Sequence, residues 1–180
     1  MVTVPQTLTL DTFLTLPHIE ASPAWEYANG TMRQKPMPKL RHSLLQKGLL
    51  SAINSDYAAL PELRCTFGDR SIVPDVAVVK WERIPVNDTG EPLDDFEAAP
   101  DWSIEILSPG QQTTRVIDNI LHALRRGCTL GWLIDPDDYA VLVFRPGQEP
   151  VVYRGEQTLP TLGPVTLTAA QIFSWLQIRR

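Results

Sequence analysis

The segment from Arg70 to Glu82 reads RSIVPDVAVVKWE and contains a Pro-Asp pair within an apolar run. Its apolar residues on both sides of Pro74 are typical of a buried strand. A proline in the middle of a strand removes a hydrogen-bond donor, and a buried aspartate is unfavourable unless it is paired or binds a cation. We therefore ask what holds Asp75.

The length and composition predict one domain. The chain has 180 residues, 43% of them hydrophobic, which suffices for a single well-buried domain over residues 1–180. No window approaches the about 20 apolar residues of a membrane span, and the N-terminal MVTVPQTLTLDTF lacks the features of a signal peptide. We therefore expect no membrane segment and a cytoplasmic location. Cys65 and Cys128 fit no metal spacing, so we expect them to pack in the core.

The net charge of -5 argues at first against a nucleic-acid partner, because such partners usually meet a basic surface. However, acids are concentrated between Asn87 and Asp101, where there is no Lys or Arg, so the rest of the chain is close to neutral. Residues 32–47, MRQKPMPKLRHSLLQK, contain basic residues and no acid. These basic residues are Arg33, Lys35, Lys39, Arg41 and Lys47. Both a solvated face and a nucleic-acid contact remain open for this segment.

Two helices are predicted in the first third of the chain. LTLDTFLTLP is typical of a short helix that is capped by Asp11 or Thr12 and stopped by Pro17. Over residues 40–60 the apolar residues recur at helical spacing. This spacing predicts a helix of several turns that ends before Pro61.

The first strands are marked by turn signals. In WEYANGTMRQKP, the Asn29-Gly30 pair between two short extended runs predicts a β-hairpin and places Glu26 on or beside a strand. LRCTF and SIVPDVAVV read as two further strands, separated by the turn signal at Gly68-Asp69.

The second half of the chain predicts strands around one helix. DWSIEIL reads as a strand with Ile104 on one face and Glu105 on the other. A helix follows over residues 114–126, with Gly127 as its C-terminal stop. The polar stripe of this helix consists of Arg115, Asn119, His122 and Arg126. TLGWLID, AVLVFRP and PVVYRG are predicted strands, and a helix over about residues 168–176 closes the chain.

Two acids in extended segments suggest a metal site. If the strands that carry Asp75 and Glu105 lie side by side, their carboxylates converge at one edge of a small sheet and offer the hard oxygen ligands that suit Mg²⁺ or Mn²⁺. Such an ion can activate a water molecule and neutralise the charge on a phosphodiester. The alternative is structural, with Asp75 bonded to backbone donors at a bulge and Glu105 paired with an arginine.

Several ordered blocks of the sequence resemble the Uma-two family, which is often described as restriction endonucleases with a PD-(D/E)xK nuclease-like core. The blocks are EYANG, KPMPKLRHSLLQ, CTFGDRSIVPD, VPDVAVV and PDWSIEILSPGQQTTRVIDNILHALRRGCTLGWLIDP, and they span most of the chain. The resemblance implies an α/β (α+β) fold of the restriction-endonuclease-like type, in which helices flank a central mixed sheet and an N-terminal hairpin forms an extension. It also implies a metal-dependent phosphodiesterase with DNA as its partner.

The resemblance assigns roles to individual residues. In the nuclease fold the acid of the PD strand and the acid of the following strand hold the cation, so Asp75 and Glu105 inherit the Mg²⁺ or Mn²⁺ site. A further acidic or amide residue often completes such a site. Glu26 matches the EY..G block, Gln46 on the following helix is its rival, and His42 lies in the block that opens that helix.

The sequence departs from the nuclease pattern at the lysine. The motif places a lysine two positions after the second acid, where this chain has Leu107, and many relatives instead supply one from the following helix, where this chain has Asn119. Arg115, one turn earlier, brings a cation to the site but is a poor general base. Lys80 points to the other face of its strand from Asp75 unless a bulge intervenes.

Three hypotheses follow from these observations. The first is a metal-dependent DNA endonuclease, with Arg115 as its cationic helper. The second is a nuclease-fold protein without catalysis that binds nucleic acid or a protein through residues 32–47. The third is a role without nucleic acid, in which the carboxylates are structural. The closing QIFSWLQ suits either a packed final helix or the seam of a homodimer.

Overall fold

The protein is built from two β-sheets and four α-helices, in a computed structural model that describes residues 8–53 and 56–178. The helices are α1 (Leu10–Leu14), α2 (Leu40–Ala52), α3 (Thr113–Arg125) and α4 (Ala169–Ser174). The strands are β1 (Trp25–Ala28), β2 (Thr31–Gln34), β3 (Tyr57–Pro61), β4 (Cys65–Phe67), β5 (Arg70–Ile72), β6 (Val76–Lys80), β7 (Trp102–Ile106), β8 (Leu130–Asp135), β9 (Ala140–Phe144) and β10 (Val151–Tyr153).

The larger sheet has six strands in the order β10-β9-β8-β7-β6-β3. Strands β7 and β8 run parallel because α3 connects them, whereas the other neighbours are antiparallel. Helices α2 and α4 pack on the face that carries Val76 and Ile104, and α3 packs on the opposite face through Val116 and Ile120. The expected mixed sheet flanked by helices is thus confirmed.

The VPD segment is the point where the chain passes from one sheet to the other. Strand β5 belongs to a second sheet of four strands, in the order β2-β1-β5-β4, whereas β6 belongs to the larger sheet. The prediction of one continuous strand across Pro74 is therefore wrong. Pro74 lies between the two strands, where its missing N–H removes no ladder hydrogen bond.

Two other sequence predictions need correction. The long helix ends at Ala52, and residues 57–60, predicted to be helical, form β3 because pairing with β6 overrides their helical spacing. The first helix is capped by the hydroxyl of Thr9, which accepts a hydrogen bond from the backbone N–H of Thr12, instead of by Asp11 or Thr12.

The predicted hairpin is present as β1 and β2. Asn29 and Gly30 both have positive φ, at 53° and 74°, which suits a tight two-residue hairpin turn. The hairpin is more than an extension, because β1 also pairs with β5 and so forms part of the smaller sheet. At the C-terminal end, Phe173 is buried and Trp175 lies against Gly48 of α2, so the closing helix is packed within the chain.

The core accounts for the cysteines and the central tryptophans. Cys65 and Cys128 are free and buried, as expected for packing residues. Trp102 and Trp132 are fully buried and contact each other edge to face, with ring centroids 4.5 Å apart. No helix in the described ranges combines the length and apolar character needed to cross a membrane.

Candidate active site

Two carboxylates lie next to each other where β6 and β7 run side by side. Val76 pairs with Ile104, which places Asp75, just before β6, beside Glu105 of β7. Both acids are almost fully buried. The backbone N–H of Ile106 donates to Oδ2 of Asp75 at 2.7 Å, so one oxygen of this carboxylate is bound by the neighbouring strand.

Lys35, which directly follows β2, inserts its ammonium group between the two acids. Its Nζ lies 2.7 Å from Oδ1 of Asp75 and 3.6 Å from Oε2 of Glu105, and it also donates to the carbonyl oxygen of Val73 at 2.5 Å. Only 11% of the Lys35 side chain is exposed. The two motif positions, Leu107 and Asn119, hold no lysine, but the smaller sheet brings Lys35 to the two acids from another part of the chain. Lys35 is also not part of a solvated face.

A signal for Lys35 was present in the hairpin register. The Asn29-Gly30 turn pairs Glu26 with Arg33 across the two strands. Since side chains alternate along a strand, Lys35 lies on the same face as Arg33 and therefore on the same face as Glu26. Glu26 was expected near the site, and the hairpin register extended by two residues from Arg33 would have placed Lys35 there as well.

The charges in this cluster shift one another's pKa values. Burial opposes the charge of Lys35, but Asp75, Glu105 and Glu26 outweigh burial and raise its pKa. Burial disfavours the Asp75 carboxylate, yet Lys35 and His42 bring its pKa below the ordinary value. Burial, with the charges of Asp75 and Glu26, raises the pKa of Glu105 well above its usual value despite Lys35. Of the two acids, Glu105 is therefore the one whose ionised form an additional cation would stabilise more.

Helix α2 holds Asp75 from the opposite side. Nε2 of His42 lies 3.1 Å from Oδ2 of Asp75, and the side-chain amide of Gln46 donates to the Asp75 carbonyl oxygen at 2.8 Å. Nδ1 of His42 is buried, and no hydrogen-bond partner for it lies among the residues that the structure describes. Gln46 thus contacts the backbone of Asp75 and supplies no oxygen to the point between the carboxylates.

Glu26 forms a second layer beside Glu105. Its Oε1 accepts a hydrogen bond from the backbone N–H of Val73 at 2.9 Å, and its Oε2 accepts one from the amide of Asn119 at 3.3 Å. A guanidinium nitrogen of Arg115 lies 3.6 Å from the same Oε2. Glu26, Asn119 and Arg115 therefore form a connected set, and the cation nearest to the acid pair is Lys35.

The structural alternative is partly realised. Asp75 does bond a backbone donor, but Glu105 pairs with a lysine instead of an arginine. Lys80 is half-exposed, and its nearest carboxylate is Glu82 at 3.8 Å, so it lies outside the site as the sequence predicted. Leu107, at the position of the motif lysine, packs against apolar side chains of α3, among them Val116 and Ile120.

An open cleft of about 340 Å³ leads to the acid cluster, which consists of Asp75, Glu105 and the Lys35 ammonium between them. It lies between the β1–β2 hairpin and the first turns of α3, and both acidic and basic side chains line it. The charged residues that line it are Glu26, Arg33, Lys35, Glu105 and Arg115. Asp75 lies behind Lys35, on the side that faces α2.

The oxygen atoms around Lys35 mark the point where a cation fits. Asp75, Glu105 and the carbonyl of Val73 present hard oxygen donors to one positive group. Within residues 8–53 and 56–178, no group of three His, Cys, Asp or Glu side chains converges as a complete metal cage. Mg²⁺ needs no such cage, because it is usually bound by one or two carboxylates together with water and substrate phosphates. The residues present therefore fit a Mg²⁺-type site with few protein ligands.

A mixed sheet in which two adjacent central strands carry acids, with a lysine beside both, defines a nuclease-like class of fold. The model of the Uma2 family, described as "Putative restriction endonuclease", matches residues 10–177. The chain therefore belongs to the Uma2 (Uma-two) family. It is also similar to a crystal structure of a putative nuclease belonging to DUF820 from Anabaena variabilis, with 47% sequence identity and a TM-score of 0.91 over 94% of this chain and 99% of that chain. No curated protein matches the chain.

Proposed function

We propose that this protein is a Mg²⁺- or Mn²⁺-dependent endonuclease that hydrolyses phosphodiester bonds of DNA. The observation that supports the proposal is the contact of Lys35 with both Asp75 and Glu105. A lysine beside two acids is the part of the nuclease motif that appeared to be missing. Lys35 favours an active site over the alternative of an inactive nuclease fold, which followed from the absence of a lysine at Leu107 and Asn119.

Asp75 and Glu105 would hold the metal ion. Oδ2 of Asp75 is committed to Ile106 and His42, which fixes the orientation of the carboxylate. When bound, a divalent ion lowers the pKa of a water molecule and polarises the phosphoryl oxygens. Orientation of the acids by the surrounding hydrogen bonds reduces the reorganisation needed during the reaction.

Lys35 acts as an electrostatic group in this proposal. Because its pKa is raised, it stays protonated at neutral pH and cannot serve as a general base. Its ammonium group instead stabilises the negative charge that develops on the phosphate in the transition state. Its position between the acids and the open cleft suits this role.

The remaining candidate residues orient this centre. Glu26 fixes the backbone of Val73, and Asn119 fixes Glu26. Arg115 faces the cleft, where its guanidinium can meet a phosphate. Gln46 holds the Asp75 backbone from α2. We assign Gln46 and Asn119 as positioning residues.

The experiment is cleavage of supercoiled plasmid and of single-stranded DNA by the purified protein with Mg²⁺, Mn²⁺ or a chelator. The matched variant is Asp75→Asn, which keeps the side-chain shape and an oxygen for the Ile106 N–H. We expect metal-dependent cleavage by the wild type and none by the variant. Equal cleavage by both proteins, or no cleavage by folded wild type with either metal, would refute the proposal.

A homodimer and a cytoplasmic location are further parts of this proposal. Both were predicted from the sequence alone and stay predictions.

A further inference from the structure

The cleft continues into a second cavity along the hairpin. This second cavity, of about 290 Å³, lies between the hairpin turn at Asn29 and the side of α3 that carries Asp118. It shares Arg33, Arg115 and Asn119 with the cleft. The two cavities therefore form one groove, which we call the hairpin groove, and which leads from the acid cluster along the wall of α3.

One hydrogen bond joins the two walls of the groove. Arg33 on β2 donates to Oε1 of Gln112, the N-cap residue of α3, at 3.4 Å. Two side chains that touch across a groove span far less than the width of a nucleic-acid duplex. At this point the groove is narrower than two paired strands, and a single phosphate backbone enters only once this hydrogen bond opens.

Arg33 has no ion-pair partner among the residues that the structure describes. Among the described arginines, Arg33, Arg126 and Arg145 form no ion pair, whereas seven others each contact a carboxylate. Of the three, Arg33 is the one that lines the groove.

Arg33 and Arg115 are also close enough to repel each other. Burial lowers the pKa of Arg115, Glu26 opposes that effect, and the like charge of Arg33 lowers it further. Two guanidinium groups face one groove, and of the acids that line it Glu26 pairs with Arg115 and Asp118 pairs with Arg70, so the arginine pair presents a site for an anion. A phosphate group that binds both would relieve the repulsion and form charge-assisted hydrogen bonds.

We propose that the hairpin groove binds one single strand of nucleic acid, with Arg33 and Arg115 contacting the phosphates next to the one at the acid cluster. This inference rests on the proposed function, since it names the form of substrate that the same site accepts. Backbone contacts of this kind are independent of sequence and depend strongly on salt. The Arg33–Gln112 hydrogen bond opens when the strand enters.

The test measures binding of a labelled single-stranded DNA oligonucleotide and of the matching duplex by fluorescence anisotropy. Ca²⁺ replaces Mg²⁺, and the oligonucleotides are checked for integrity afterwards. We expect the single strand to bind at least about tenfold more tightly than the duplex. We expect Arg33→Gln to weaken single-strand binding several-fold and to reduce the slope of log K against log salt by about 0.7, the value for one phosphate contact on a single strand.

Two further variants make the test specific. Arg145→Gln removes an equally unpaired arginine that lies outside the groove, and we expect it to change neither affinity nor slope. Gln112→Glu places a carboxylate opposite Arg33, so we expect it to reproduce the loss seen with Arg33→Gln. Equal binding of duplex and single strand, or equal effects of Arg33→Gln and Arg145→Gln, would overturn the inference.

The outcome can be separated from that of the proposed function. Metal-dependent cleavage that Asp75→Asn abolishes, together with a failure of the Arg33 test, would leave a nuclease with a different substrate path. A positive Arg33 test without cleavage would leave a single-strand-binding groove on an inactive protein.

Discussion

The two sheets contribute unlike halves to one site. The six-stranded sheet supplies the acids Asp75 and Glu105 from its central strands, which are covered by helices on both faces. The four-stranded sheet supplies Lys35 and Glu26 from a hairpin whose outer strand, β2, has a free edge. The two acids are thus enclosed by neighbouring strands and helices, whereas Lys35 extends from the edge strand of the smaller sheet. The comparison indicates that the site is complete only where the two sheets meet.

The largest expected effect comes from the acid half. Asp75→Asn should reduce cleavage at least about 10²-fold, because it removes the charge that faces both Lys35 and the metal ion. Rates of single-stranded DNA cleavage at saturating Mn²⁺ measure this effect. The matched control is Asp101→Asn, an acid that pairs with Arg83 away from the cleft, and its activity should stay near that of the wild type. Equal losses in the two variants would show that charge removal acts through stability alone.

Asp75→Ala is a poorer probe than Asp75→Asn. It would leave the buried ammonium of Lys35 without its closest carboxylate, and it would leave the Ile106 N–H without its acceptor. Removal of one partner of a buried ion pair costs about 3–5 kcal/mol of the free energy of unfolding. Loss of activity in the alanine variant therefore includes a loss of fold.

The second effect tests the cation half. Lys35→Met should lower the cleavage rate by about 10²-fold, since the group that stabilises charge in the transition state is removed. Without metal it should also unfold at a lower temperature, because two buried acids lose their counter-charge. Mn²⁺ should raise its melting temperature by more than it raises that of the wild type.

Lys80→Met is the control for this prediction. Lys80 lies near Asp75 in the chain, but it is half-exposed and contacts Glu82. We expect its activity and its response to Mn²⁺ to match those of the wild type. If Lys35→Met cleaved DNA at the wild-type rate, the smaller sheet would have no part in the chemistry.

A third and smaller effect concerns the junction of the two sheets. Glu26→Gln keeps an oxygen for the Val73 N–H but weakens the contacts with Asn119 and Arg115. We expect cleavage to fall about tenfold, with a stability loss of about 1 kcal/mol from one weakened hydrogen-bond set. The measurement combines initial cleavage rates with urea denaturation. A loss as large as that of Asp75→Asn would instead make Glu26 a direct metal ligand.

The smallest effect belongs to helix α2. Gln46→Leu removes the hydrogen bond to the Asp75 carbonyl oxygen and should cost about 1 kcal/mol in stability with only a few-fold loss of rate. Urea denaturation and nicking assays measure both quantities. Ser51→Ala, which removes a side-chain hydrogen bond within the same helix, is the matched control for stability and should leave the rate unchanged. A rate loss above about 10²-fold for Gln46→Leu would place its amide in the chemistry.

The acid half of the site could be predicted from the sequence, and the cation half could not. The PD pair and the strand that carries Glu105 are local patterns, and adjacent strands in the chain are often adjacent in a sheet. The position of Lys35 depends on a contact between the hairpin and a segment about 40 residues away, for which local periodicity gives no signal. The hairpin register alone placed it on the face of Glu26.

The boundaries of the fold show the same division. The Asn29-Gly30 hairpin and α3 followed from turn chemistry and helical spacing, and both are present. Strand β3 was missed because its apolar residues continue the spacing of α2, and only its pairing with β6 makes it extended. The break at Pro74 was read as a defect in one strand, since the sequence does not reveal that two sheets exist.

The crossing of the chain at Pro74 links completion of the fold to completion of the candidate site. Val73 and Asp75 flank the crossing, and their backbone groups bond Glu26, Lys35 and Gln46, which come from both sheets and from α2. A chain in which either sheet is missing cannot bring the acids and the lysine together. Under the proposed function, an incompletely folded copy lacks the assembled site and is therefore inactive.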